Sequence, residues 1–277
     1  MTDAPPPFEP SVPAASGPAV APAVAAASSL ASVLPPVIRA GAIMFGAGGE
    51  IVTVRRVINS LLVGARPQHL HIFVAHNALT ITVVRGQETL TMVQSIDGHG
   101  VDFNKIGAIY RLAKKAQHDG RAPANLAERV NAVRFATAVY PRQVSALAVA
   151  LACGAFAVIF GGGAAAFVAT ALAAFLGAHT RFFLASLRFN VVLVFAASAF
   201  VATSAALALG TLVPDHHQIV ETACVLYLIP GVPLIDAFEE FIRGYVTVGL
   251  TRAVMGLVMV MALALGMVLA LSLRGIW

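Results

Sequence analysis

The chain has 277 residues, of which 58% are hydrophobic and only 11% are charged, and its mean hydropathy is +0.84. Soluble domains carry about 25% charged residues, so this chain has too little charge to cover a soluble surface. Its apolar content also excludes disorder over most of its length. The composition therefore predicts a membrane protein.

The charges are concentrated in the first half of the chain. Residues 1–142 hold 13 of the 18 basic and 8 of the 13 acidic residues, a net charge of +5, whereas residues 143–277 are neutral. The basic residues form no long run, so nucleic-acid binding is not predicted. The positive-inside rule instead places the first half in the cytoplasm. Cys153 and Cys224 lie in apolar stretches, which predicts buried free thiols rather than disulfides.

The first half is predicted to contain a tail and a small folded module. Residues 1–34 are rich in Ala, Pro and Ser and contain no basic residue, which predicts a disordered tail and no signal peptide. Residues 35–142 predict a cytoplasmic α/β module. Its elements are an amphipathic helix kinked near residues 46–49, hairpins turning at His76-Asn77 and at Arg85-Gly86-Gln87, a helix from the cap Asp102 to Gly120, and a helix from Pro123 to about Tyr140.

Residues 143–277 predict the membrane domain. We predict five transmembrane helices, at residues 143–160, 164–178, 189–213, 219–235 and 246–273. A helix of 18 residues is about 27 Å long, close to the thickness of the hydrocarbon core. The fold class is therefore an α-helical polytopic membrane protein with a small N-terminal cytoplasmic α/β module. The basic residues of the loops predict a cytoplasmic N-terminus and, after five spans, a periplasmic C-terminus.

The fourth run is interrupted by Pro230, Gly231 and Pro233, which weaken a helix because proline lacks a backbone N–H. A broken helix in a membrane faces protein or a water-filled cavity, and transporters place such breaks at substrate sites near the midplane. Asp236 follows the break, and an acid in this position is costly unless it has a partner. The fifth run carries Arg252 in its second turn. These residues are the candidate translocation site.

Structural explanations compete with this one. Arg252 precedes a long apolar stretch and could be a snorkelling anchor. Arg243 and Glu239 have the spacing of a surface ion pair. For Asp236 and Arg252 the sequence favours neither explanation.

The same segment resembles the signature P-G-x-P-L-x-N-A, then G-x-x-x-x-G-L-x-R, of the threonine/serine exporter family. The matching residues are Pro230, Gly231, Pro233, Leu234, Asp236, Ala237, Gly244, Gly249, Leu250 and Arg252. The family's usual Asn is Asp236 here. Upstream, Gly46-Ala47-Gly48-Gly49-Glu50 resembles the first-helix pattern of the family, and the order of elements also matches from about Arg39 to Trp277.

The resemblance implies a secondary exporter in the bacterial inner membrane. Because the chain stops after its fifth predicted span, it resembles the larger subunit of the split form, whose partner is a short companion membrane subunit. The implied substrates are small carboxylates, either threonine and serine or a dicarboxylate such as succinate. Arg252 would bind the carboxylate, Asp236 would take up a proton as the substrate leaves, and Glu50 would line the cytoplasmic entrance.

A second class of function stays open, namely a membrane sensor or a membrane-anchored hydrolase with its site in the module. A hydrolase needs a nucleophile and a base, and the sequence pattern offers no such pair, so no enzyme is predicted. His69, His71 and His76 are not accompanied by Cys or by a metalloprotease motif, so no metal site or other cofactor is predicted. Substrate identity and any higher oligomer stay open.

Overall fold

A computed structural model of the protein describes residues 23–98, 100–136 and 139–273. The helices are α1 (Ala23–Gly46), α2 (Ile51–Leu61), α3 (Phe103–Asp119), α4 (Leu126–Arg134), α5 (Arg142–Ile159), α6 (Ala164–Ser186), α7 (Val191–Gly210), α8 (His217–Ala223), α9 (Gly231–Ile242) and α10 (Val246–Leu273), and the strands are β1 (His69–Val74), β2 (Ala78–Arg85) and β3 (Glu88–Ser95). Short 3-10 turns lie at Val63–Ala65, Pro214–His216 and Leu226–Leu228.

The module contains the predicted sheet. Its three strands are antiparallel in the order β1-β2-β3, joined by the two predicted hairpins. Leu79, Ile81 and Val83 alternate along β2 and are fully buried, because one face of the sheet packs against α1. Leu79 comes so close to α1 that a Cβ at Gly41 would lie 2.8 Å from its Cδ2 atom.

Helix α1 differs from the prediction in two ways. It begins at Ala23, inside the predicted tail, and continues through Pro35 and Pro36; residues 1–22 of that tail lie outside the described residues. Each proline costs a helix about 3 kcal/mol. Leu30, Leu34, Val37 and Ile38 are buried around the pair, and each contributes about 1.5–3 kcal/mol. Tertiary burial therefore offsets the two prolines.

The kink predicted near residues 46–49 is a complete break. Helix α1 ends at Gly46 and α2 begins at Ile51, because Gly48 has a φ of +89° that a helix cannot contain. We call residues 47–50 the α1–α2 turn.

The predicted ends of α3 are confirmed. The Asp102 carboxylate accepts hydrogen bonds from the N–H groups of Asn104 and Lys105, both at 3.1 Å, and Gly120 ends the helix with a φ of +66°. Helix α4 is shorter than predicted. The residues from Pro123 onward first form a turn, in which the Leu126 N–H donates a hydrogen bond to the Pro123 carbonyl. The helix itself begins at Leu126.

Four described helices, α5, α6, α7 and α10, are long and apolar enough to cross a membrane. A fifth crossing results if residues 214–228 and 231–242 form one span that is bent by 58°. The predicted break at Pro230 is therefore present, while the count of five spans stays a prediction. Cys153 and Cys224 are buried and free, as predicted.

Helix α6 is longer than its predicted span of residues 164–178. The sequence placed the end at His179, but the Thr180 hydroxyl donates to the Leu176 carbonyl at 3.0 Å. The guanidinium carbon of Arg181 lies 5.3 Å from the centre of the Phe195 ring on α7. These polar side chains are thus accommodated without ending the helix.

Helix α10 connects the two ends of the molecule. Near its start, Val248 belongs to the hydrophobic core of the module. At its other end, Ala270 and Leu273 line a pocket together with Pro214 and His217. The module and the loop that follows α7 therefore lie at opposite ends of a helix of 28 residues, which is about 42 Å long.

Candidate functional site

The candidate site lies where the α1–α2 turn meets α9 and α10. Arg252 is its central residue and contacts protein groups on three sides. One guanidinium nitrogen, Nη1, donates to Oδ2 of Asp236 at 2.7 Å, and Nη2 donates to the carbonyl oxygen of Gly49, also at 2.7 Å. The guanidinium carbon lies 4.7 Å from the centre of the Phe45 ring, within the range of a cation–π interaction.

The Asp236–Arg252 ion pair is largely buried. The Arg252 side chain is 12% exposed and that of Asp236 is 15% exposed. Removing one member of a buried pair leaves the other charge without compensation and costs about 3–5 kcal/mol. The sequence analysis singled out both residues separately, and the fold brings them into direct contact although sixteen positions separate them.

The Pro-Gly break sets the position of Asp236. The Gly231 N–H donates to the Ile229 carbonyl at 2.8 Å, which closes a tight turn before α9 begins. Pro233 lies in the first turn of α9, where a missing N–H costs nothing because no helical carbonyl precedes it. Asp236 then falls in the second turn and faces α10.

A cavity of about 120 Å³ lies beside the ion pair. Its lining includes Phe45, His76, Pro233, Asp236, Arg252 and Met255. Most of the wall is apolar, and the carboxylate and guanidinium supply the charge, as is typical of a small-ligand site. Of the other predicted residues, Pro230 and Gly231 shape the turn and are not among the residues that line this cavity.

Glu50 is not among the residues that line this cavity, and its predicted role at the cytoplasmic entrance stays a prediction. Its carboxylate accepts a hydrogen bond from Nη1 of Arg243, and Nη2 of Arg243 lies 3.7 Å from Oε2 of Glu239. The hydrogen bond to Glu50 raises the pKa of the Arg243 guanidinium. All three side chains are more than a third exposed, so this is a surface network that joins the α1–α2 turn to the end of α9.

The two motif glycines have structural roles. Gly244 has a φ of +81° and ends α9, with its N–H bonded to the Phe241 carbonyl and the Tyr245 N–H bonded to the Glu240 carbonyl, the pattern of a Schellman cap. A Cβ at Gly249 would lie 2.9 Å from the carbonyl oxygen of Ala237. Gly249 therefore lets α10 approach α9 closely enough for Arg252 to reach Asp236.

The sequence analysis missed Glu240, which is 1% exposed. Its Oε1 atom accepts a hydrogen bond at 2.9 Å from the N–H of Ile51, the first residue of α2. Its Oε2 atom is buried without a hydrogen-bond partner among the described residues. The available signal was spacing, because Asp236 and Glu240 are four residues apart and lie on the same side of α9; the sequence pattern instead pointed to Glu239, which has the spacing of an ion pair with Arg243.

Three consecutive residues of the chain thus contact the segment from α9 to α10. The Gly49 carbonyl accepts from Arg252, the Glu50 carboxylate accepts from Arg243, and the Ile51 N–H donates to Glu240. These three hydrogen bonds hold the α1–α2 turn next to the cavity.

The histidines of the hairpin separate in the structure. His69 and His71 are exposed on β1, while His76, at the turn between β1 and β2, lines the cavity beside Arg252. Among the described residues, no three His, Cys, Asp or Glu side chains are close enough to hold a metal ion.

Comparison with known proteins gives the same family as the sequence resemblance. Residues 36–274 match the profile of the family described as "Putative threonine/serine exporter". The chain is 25% identical over 244 residues to "Probable succinate transporter subunit YjjP" of Escherichia coli (strain K12), covering 86% of this chain and 93% of that protein. It is 26% identical over 205 residues to the protein of the same name from Klebsiella aerogenes, covering 73% and 79%. No solved structure matches. Because the family match extends over most of the sequence, this chain belongs to the threonine/serine exporter family.

Proposed function

We propose that this protein is a subunit of a secondary exporter that carries small carboxylates, succinate in particular, across the bacterial inner membrane. The observation that carries the proposal is the buried Asp236–Arg252 pair beside the cavity and the helix break. The family description and the names of the two relatives support it, because threonine, serine and succinate all contain a carboxylate.

Partner exchange at Arg252 is the central step. A guanidinium forms two parallel hydrogen bonds with a carboxylate, and one nitrogen of Arg252 is bonded to Asp236. A substrate carboxylate that enters the cavity would replace Asp236 at Nη1, while Nη2 keeps the Gly49 carbonyl. The exchange restores a charge pair, so the substrate is desolvated without leaving Arg252 uncompensated.

Proton coupling follows from the same exchange. A displaced Asp236 is buried without its cation, and burial favours the neutral form of a carboxyl group. Asp236 would therefore bind a proton as the substrate enters and release it when the pair with Arg252 re-forms. In this scheme the proton is taken from the cytoplasm and released with the substrate, so that proton and substrate move in the same direction. The order predicted from the sequence, in which Asp236 takes up a proton as the substrate leaves, stays an alternative.

The orientation and the partner are also part of the proposal. The net charge of +5 in residues 1–142 favours a cytoplasmic module, and α10 leads from the module to the opposite face, so its last turn would face the periplasm. A short companion membrane subunit would complete the wall of the pathway. The word "subunit" in the names of both relatives supports this partner.

The test uses everted membrane vesicles from cells of the source organism, in which the cytoplasmic face points outward and export appears as uptake. Vesicles from wild-type cells should accumulate radiolabelled succinate, vesicles from a deletion strain should not, and restoring the wild-type chain should restore uptake. Radiolabelled threonine serves as the second substrate. If wild-type vesicles take up neither compound above the deletion strain, the proposed function is wrong.

A further inference from the structure

A second, larger cavity of about 480 Å³ lies inside the module. It opens between α1, α3, α4 and the loop that follows β3. Three basic side chains line it, Arg39 from α1, Lys105 from α3 and Arg134 from α4, together with the acidic residues Asp97 and Asp102. The charged groups around this cavity therefore sum to +1.

Two of the three basic residues are already paired with the two acids. Nη2 of Arg134 lies 2.7 Å from Oδ2 of Asp97, and Nζ of Lys105 lies 3.7 Å from Oδ2 of Asp102. Both carboxylates that line the cavity are therefore paired, and neither of them is paired with Arg39.

Arg39 has no carboxylate partner within the described part of the chain. Its Nη1 atom donates to the neutral side-chain oxygen of Asn131 at 2.9 Å. Its Nε atom is buried and has no hydrogen-bond partner among the described residues. A half-buried guanidinium with unused donors is a binding group for a carboxylate.

The two cavities share one wall. Gly46, Gly100 and Val101 line both of them. Backbone hydrogen bonds hold this wall together, from the Gly100 N–H to the Gly46 carbonyl at 3.1 Å and from the Asp102 N–H to the Ala47 carbonyl at 2.9 Å. A ligand at Arg39 is therefore separated from the Arg252 cavity by a single layer of main chain. Two of the three residues that line both cavities are glycines.

We propose that the larger cavity is the cytoplasmic entry site, in which a carboxylate of the substrate binds Arg39 before it moves to Arg252. This inference rests on the proposed function. Arg39 offers one cation to one carboxylate of the substrate, whereas Asp97 and Asp102 would repel a polyanion such as a nucleotide. The position also fits, because the site belongs to the module and adjoins the α1–α2 turn, which lies against the Arg252 cavity.

An entry site makes a specific kinetic prediction. Loss of Arg39 should weaken capture of the substrate from the cytoplasmic side without changing the exchange at Arg252. In everted vesicles, Arg39→Gln should raise the KM for succinate about tenfold, as expected for one charged hydrogen bond, and leave the maximal rate within about twofold, because a rise in KM alone indicates lost ground-state binding. Arg39→Lys keeps the charge and should raise the KM less, about threefold.

Two matched control variants distinguish a role of Arg39 in substrate binding from a role in holding α1 against α4. Asn131→Ala removes the same hydrogen bond between α1 and α4 but leaves the Arg39 charge, so its KM should stay near the wild-type value. Arg56→Gln removes an equal charge from the exposed face of α2 and should also leave the KM unchanged. If Arg39→Gln does not reach the membrane, the KM of Arg39→Lys is compared with that of Asn131→Ala instead, and only the KM of Arg39→Lys should rise.

The outcomes distinguish this inference from the proposed function. An unchanged KM in Arg39→Gln at normal membrane level, or an equal rise in Asn131→Ala, would overturn the entry site while export itself stands. A fall in maximal rate with unchanged KM would overturn it too. Absence of uptake of succinate and threonine by wild-type vesicles contradicts the proposed function instead.

Discussion

Glu240 binds the main-chain N–H of Ile51 at 2.9 Å, although 189 positions separate the two residues in the chain. The first N–H groups of a helix have no partner within that helix, and Ile51 is buried. Helix α9 therefore supplies the cap that α2 lacks, since the residue before α2, Glu50, makes no side-chain cap of its own.

Glu240→Ala should loosen the α1–α2 turn without unfolding the membrane helices. The Ile51 N–H would lose its acceptor, which costs about 1–2 kcal/mol. Amide hydrogen exchange of the purified protein in detergent should become roughly tenfold faster in the first turn of α2. Glu240→Gln keeps an acceptor and should change exchange less. Glu239→Ala is the control, because its exposed pair with Arg243 contributes little; equal acceleration in that variant would show that the cap is not the cause.

Between pH 5 and 8, Asp236→Asn should retain succinate uptake but show a weaker dependence on pH than the wild type. Asn can still accept a hydrogen bond from Arg252, but it cannot bind a proton. The measurement is the initial rate of uptake into everted vesicles across that range of pH, compared with the wild type. A pH profile identical to that of the wild type would remove Asp236 from the proton step and leave the binding site intact.

Breaking the Glu50–Arg243 pair should have little effect on transport and none on its pH profile. The pair raises the pKa of Arg243 above its ordinary value, so its contribution is present below the unfolded pKa and is lost only as the pH rises through the higher folded pKa. Arg243 is thus charged throughout the range in which export is measured. Glu50→Gln should keep uptake within about twofold, as expected for an exposed pair. A large loss of uptake, with the variant at its normal level in the membrane, would show that Glu50 takes part in transport.

The motif glycines should differ sharply in their tolerance of alanine. Gly249→Ala places a methyl group 2.9 Å from the Ala237 carbonyl and would push α10 away from α9. Overpacking of this kind costs about 1–3 kcal/mol, and the Asp236–Arg252 contact should lengthen, so uptake should fall roughly fivefold or more. Gly231→Ala is the matched control, because a Cβ there meets no atom within 4 Å. Comparable losses in both variants would contradict this account of Gly249.

Local patterns predicted much of this molecule. The hairpins, the cap Asp102, the helix end at Gly120 and the break at Pro230 depend on neighbours in the sequence, and the structure contains each of them. Apolar runs likewise indicated the long helices, although His179 did not end α6 because polar side chains there bond to their own helix.

Contacts between distant segments could not be predicted in this way. Nothing local marks Glu240 as the partner of Ile51, or His76 as a neighbour of Arg252, because the fold alone brings α2 and the first hairpin above the end of α9. Helix α1 continues through Pro35 and Pro36 for a similar reason, since the burial that offsets them comes from the rest of the module. The contact of Glu50 with Arg243, 193 positions away, is equally nonlocal and could not be predicted from the sequence.

The most direct test of the account compares Arg252→Gln, Arg252→Lys and the wild type in everted vesicles, at equal membrane levels, with Arg56→Gln as the charge control. Loss of one member of a buried charge pair costs about 2–5 kcal/mol, so Arg252→Gln should lower the initial rate of succinate uptake about 30-fold or more. Arg252→Lys should recover only part of it, because an ammonium cannot bind the substrate carboxylate and the Gly49 carbonyl in the same geometry. The double variant Asp236→Asn with Arg252→Gln removes the unpaired acid and should still fail to transport. Wild-type uptake by Arg252→Gln would contradict the account, because Arg252 would then be an anchor rather than the binding site.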